Sequence, residues 1–167
     1  MESLNDLFSR LHRRAASSLG EAHPNTATAL HNIALVYESG GRYEEALEHY
    51  KRCLAVEREA LGEAHPNTAL TLHNIALVYK NRGRYEEALE HYGRCLAVRR
   101  SALGEAHPDT AGALYNIARV YKRQGQFEKA LVHFAAAARA YTDSYGSEHY
   151  ETVDALAKAS EMRALVS

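Results

Sequence analysis

Ten histidines, two cysteines and several paired glutamates are the residues of this chain whose types could do chemistry. Imidazole is the commonest metal ligand, a thiolate is a nucleophile, and adjacent carboxylates can share acid and base work. Spacing decides whether they do. His23, His65, His107 and His149 lie 42 residues apart, as do His31 and His73, then His49, His91 and His133, and finally Cys53 and Cys95. Each set is one position copied along the chain. Stacked copies put such ligands roughly 10 Å from each other, the usual helix packing distance. Tetrahedral zinc needs its donors at about 2.0–2.3 Å. No HExxH, CxxC or His-rich tract occurs, and no metal or cofactor is expected. The loop histidines are read as suppliers of hydrogen bonds and packing at helix starts.

The same arithmetic covers the other candidates. A disulfide needs Cα atoms within about 7 Å, so Cys53 and Cys95 read as buried free thiols, which suits a reducing compartment. Glu44-Glu45 and Glu86-Glu87 each begin an exposed helix, where negative charge favours the positive end of the helix dipole. Neither GxSxG nor a phosphate-cradling glycine loop is present. The chain is read as non-catalytic.

The elements that position these residues follow from the period itself. Leu19-Gly20-Glu21-Ala22-His23-Pro24 recurs at 61–66 and 103–108, and a degraded copy opens at Tyr145. A period of this size means a stack of supersecondary units rather than one globular core. Within 19–60, proline at position 24 suits a helix start. Leu30, Ile33, Ala34 and Tyr37 then form one apolar stripe, closed by Gly40-Gly41. A second stripe, Tyr43, Ala46, Leu47, Tyr50, Cys53 and Leu54, predicts a second helix running to about Glu59. The short connection makes the two antiparallel neighbours. Ala34 and Ala46, with their copies, allow close approach, and a large residue there should overpack the interface.

The spacing Leu30-x2-Ile33-Ala34-x2-Tyr37 with Ala46-x3-Tyr50 resembles the tetratricopeptide signature, and it recurs in both following units. The 42-residue unit, the Leu-Gly-x2-His-Pro loop and Asn-Ile-Ala are similar to the long repeats of kinesin light chains and their relatives. The resemblance implies an all-α, right-handed superhelical solenoid of antiparallel helix pairs, about eight helices in all. The expected plan is a single solenoid over 1–167: a half repeat at 1–18, repeats at 19–60, 61–102 and 103–144, and a half repeat at 145–167. Leu4, Phe8 and Leu11 mark the first half repeat. Leu156, Ala159, Ser160 and Arg163 mark the core stripe of the last.

The resemblance also implies that the first helix of each unit lines a concave groove for a peptide or partner protein. The residues expected there are His31, Asn32 and Leu35, then His73, Asn74, Leu77 and Lys80, then Tyr115, Asn116, Arg119, Lys122 and Arg123. The ladder Asn32, Asn74, Asn116 offers donors and acceptors to an extended backbone, or else satisfies groups on neighbouring helices. Where Lys80 and Lys122 stand, the first unit has Glu38, so acidic residues in the ligand are favoured toward the third unit. The two-carboxylate clamp of chaperone-binding relatives is not matched, since His31 and Leu35 occupy its positions.

Lys+Arg 20 against Asp+Glu 21 leaves a net charge of -1, which gives no basic field for nucleic acid. No apolar run approaches a membrane span or signal peptide, so a cytoplasmic protein is expected. Two other roles fit the same pattern. One is self-association through the half-repeat ends, using Leu4, Phe8, Leu11, Leu156 and Met162. The other is service as a regulatory segment of a larger signalling or motor-adaptor protein.

Overall fold

The computed structural model describes Arg10 and residues 23–167. From residue 23 onward it contains seven helices: α1 (Pro24–Ser39), α2 (Tyr43–Leu61), α3 (Pro66–Asn81), α4 (Tyr85–Leu103), α5 (Pro108–Arg123), α6 (Phe127–Tyr145) and α7 (Tyr150–Val166). They form a helical solenoid without strands among the described residues. The expected first half repeat, with Leu4, Phe8 and Leu11, lies outside those residues.

Each odd-numbered helix starts the same way. The preceding histidine is extended, and its Nδ1 accepts the backbone N–H two residues on, at 3.1 Å (His23), 3.2 Å (His65), 3.1 Å (His107) and 3.4 Å (His149). A side-chain acceptor at this position satisfies one of the orphan donors of the first turn. The threonine three residues later locks the loop: Thr68, Thr110 and Thr152 donate to the carbonyls of Gly62, Gly104 and Gly146 at 2.8–2.9 Å. Those glycines sit near φ 90° and ψ 163–170°, a region that only glycine enters cheaply. The copied loop histidines are thus built into helix starts.

The pairs are antiparallel. Tyr50, early in α2, donates to Glu38 at the end of α1 at 2.8 Å. Cys53, farther along α2, reaches the Ala27 carbonyl at the start of α1 at 3.2 Å. Ala34, Ala46, Ala76, Ala88, Ala118 and Ala130 are all fully buried between paired helices, so an added side chain there has no free volume to enter.

The last helix departs from expectation. Its buried residues are Thr152, Ala155, Ala159 and Met162, whereas Leu156 is 51% exposed. An internal helix of this kind packs on two sides: one face meets the preceding helix, the other its own partner. No helix follows α7 among the described residues, so only the first face is covered. Ala159 and Met162 cluster with Ala130 and Phe134 of α6. Met162 is therefore a core residue and not a contact for another copy. Leu156, Ser160 and Arg163 lie on the uncovered side.

Candidate functional site

The C-terminal ends of α3 and α5 border a cavity of about 1040 Å³. Five of the expected residues line it: Lys80 from α3, and Tyr115, Arg119, Lys122 and Arg123 from α5. Asn81, Arg82, Gly83, Tyr85, Phe134 and Lys158 complete the wall. A second cavity of about 390 Å³ lies nearer the helix starts and brings together His73, Asn74 and Asn116. His31, Asn32, Leu35 and Leu77 line neither.

Charge in the larger cavity is lopsided. Lys122 and Lys158 share Glu161, at 2.6 and 3.4 Å, and Arg82 meets Glu44 at 3.2 Å. Lys80, Arg119 and Arg123 have no carboxylate partner among the described residues. Burial, with Arg119 and Arg123 nearby, pushes the Lys80 ammonium down to about 8. A half-buried cation beside unpaired cations is an unfavourable arrangement that an incoming anion relieves.

The asparagine ladder divides by position. Asn32 is exposed. Asn74 donates to His31 Nε2 at 3.3 Å, which makes His31 Nδ1 the donor to Thr71 Oγ1 at 3.4 Å. Asn116 turns back on its own helix and donates to the Gly112 carbonyl at 3.0 Å. Asn74 thus serves the neighbouring helix and Asn116 its own.

Three further histidines are also engaged. His49, His91 and His133 donate from Nδ1 to backbone carbonyls one turn back, at 2.8–2.9 Å, and lie against Tyr37, Tyr79 and Tyr121. Cys53 and Cys95 are buried free thiols pushed up to about 12 and about 11 by burial. Such thiols are inert as nucleophiles at neutral pH. No cluster of metal-ligating side chains occurs among the described residues. No helix among them is long and apolar enough to cross a membrane.

Arg82 and Lys158 are the cavity residues that the repeat pattern did not bring forward. Arg82 replaces Gly40 of the first unit, and Lys158 falls in the asparagine column one period after Asn116. Extending the column into the degraded last unit would have found Lys158.

The profile of the tetratricopeptide repeat family matches residues 6–59, 40–101, 67–143 and 109–164. No curated protein sequence matches the chain. Among solved structures, a kinesin light chain of Podosopora anserina described by its nearly identical TPR-like repeats superposes with a TM-score of 0.82 at 22% identity, over 96% of this chain and 76% of that one. The apo form of RapI gives a TM-score of 0.82 at 18% identity, over 97% of this chain and 43% of its own. The N-terminal domain of stress-induced protein-1 from C. elegans gives 0.66 at 16% identity, over 84% and 96%. At these identities the likeness is one of fold.

Proposed function

The chain belongs to the tetratricopeptide repeat family, and on that premise we propose that it is a non-catalytic protein-binding module whose groove takes an extended, acidic segment of a partner. The observation that supports this reading is the cavity where Lys80, Arg119 and Arg123 stand without carboxylate partners among the described residues. Carboxylates entering there form charge-assisted hydrogen bonds, bidentate to the guanidinium groups. The half-buried Tyr85 in the same wall accepts an apolar or aromatic anchor beside the acids. The asparagine ladder takes a smaller share than the cations, because the amide donors of Asn74 and Asn116 are already engaged. The buried free thiols fit a reducing, cytoplasmic setting.

Calorimetric titration with an acetylated peptide carrying a phenylalanine and then a run of glutamates tests the proposal. Micromolar binding is expected, weakening at higher salt and by at least about tenfold in Arg119→Glu/Arg123→Glu. Affinity should also fall as the pH is raised through about 8, where Lys80 loses its proton. Equal affinity in the double variant and the parent would sink the proposal.

A further inference from the structure

Beside the basic cavity lies a smaller slot of about 240 Å³, lined by Tyr115, Tyr141, Tyr150, Glu151 and Asp154. None of the five is a copy. One period earlier their positions hold His73, Arg99, Pro108, Asp109 and Gly112. The slot is a local invention of the last units, built from α5, α6 and the first turn of α7.

Its walls are aromatic and its polar groups are anionic. Tyr141 and Tyr145 stack at 6.1 Å, Tyr145 meets His149 at 4.3 Å, and His149 meets Tyr150 at 4.6 Å. Tyr150 is 72% exposed. Gly112 faces the hydroxyl end of Tyr141: a Cβ there would stand 3.5 Å from the Tyr141 Oη. The preceding copy carries the bulkier Leu70 at this position. Tyr115 donates to Asp154 and fixes that carboxylate at the slot's edge. Neither Glu151 nor Asp154 forms an ion pair among the described residues. Arg99 lines the adjoining cavity but donates to the Asp109 carbonyl at 2.8 Å.

Tyrosine faces attract cations through the ring quadrupole, and carboxylates supply the counter-charge. A long basic side chain also has an alkyl stem that packs on aromatic surface while its head reaches the acids. We propose that this slot binds a lysine or arginine side chain of a partner polypeptide, with Tyr150 covering the stem and Glu151 and Asp154 taking the charge. The hydroxyls respond as a negative site requires. Burial and Asp154 push Tyr115 up to about 12, and the charge of Glu151 pushes up even the largely exposed Tyr150.

Tyr115 lines both the slot and the basic cavity. Where the groove reading above also holds, a bound segment crossing this ring presents a base on one side and acids on the other. The seven residues from Tyr115 to Lys122 make two helical turns, about 10 Å, so the base and acids stand about three extended residues apart.

Small probes separate the slot from the groove. The full chain, labelled with ¹⁵N, is titrated with N-acetyl-lysine methylamide, N-acetyl-arginine methylamide and the neutral N-acetyl-norleucine methylamide, and amide shifts are followed around Tyr115, Glu151 and Asp154. The expected result is millimolar binding of one or both cations, at least about fivefold tighter than norleucine. Glu151→Gln/Asp154→Asn and, separately, the surface change Tyr150→Ala should each weaken it by at least about fivefold, with the remaining spectrum intact. The lysine and arginine arms decide which cation is preferred. Equal binding of norleucine, binding unchanged in both variants, or no shift with either cation overturns the proposal. Failure here leaves the acidic-peptide titration untouched, and failure of that titration leaves the slot standing.

Discussion

Residues 19–60 and 61–102 differ at eight of 42 positions, yet their polar interiors are organised in opposite ways. In the first pair Tyr50 is buried and donates to Glu38 at 2.8 Å. In the second, Lys80 stands where Glu38 stood, and the buried Tyr92 hydroxyl has no partner among the described residues. His31 uses both ring nitrogens, on Thr71 and Asn74. His73 has a buried Nδ1 without a partner among the described residues, because Ala113 replaces Thr71 one period on. Each orphaned group costs about 1–3 kcal/mol. The first pair finds partners for Tyr50 within itself and for His31 on α3, and its buried orphan among the described residues is Glu57 Oε2. The second gives up internal hydrogen bonds at Tyr92 and His73, while Lys80 lines the larger cavity. That is the pattern expected where sequence change serves binding rather than folding.

The contrast can be broken most forcefully with acid. His73 is held down to about 4 from an ordinary 6.5, first by burial and then by Arg99 and Lys80, with Asp109 opposing them. A depressed folded value means its contribution to stability is present above pH 6.5 and is lost as pH falls through about 4. At full ionisation the loss is about 3 kcal/mol. Denaturant melts at successive pH values should show a shallower fall over this window in His73→Phe than in the parent. Identical slopes would mean that His73 is not the buried base described here.

A smaller effect sharpens the same contrast. Tyr50→Phe removes a hydrogen bond to a carboxylate and should destabilise by about 2 kcal/mol. Tyr92→Phe removes only an unpartnered hydroxyl and should be neutral or stabilising by about 1 kcal/mol. Chemical denaturation of the two variants reads the difference directly. Equal losses would show that Tyr92 has a partner after all.

Most of the architecture was readable from the sequence because each signal came three times. The Leu30–Tyr37 stripe, the Gly41 turn and the His-Pro start all recur in register, so chance patterns were averaged away. Gly41, Gly83 and Gly125 sit at φ 72–73°, the left-handed turn their position implied. What periodicity could not show was where a copy stops behaving as one. Leu156 falls on the right stripe, yet it is exposed because the face it belongs to has nothing packed against it. Met162 was legible only by asking which side of a helix meets its predecessor. Lys158 and the tyrosine slot lie in the most diverged unit, where side chains converge from three helices. Such convergence is a property of stacking and leaves no spacing signature along the chain.

The central claim is that ligand preference resides where the copies disagree, at Lys80 and not at its counterpart Glu38. Titration of the phenylalanine–glutamate peptide into Lys80→Glu and Glu38→Gln tests it most directly. The account predicts at least about tenfold weaker binding for Lys80→Glu and affinity within about twofold of the parent for Glu38→Gln. Unchanged affinity in Lys80→Glu, or equal losses in both, would contradict it.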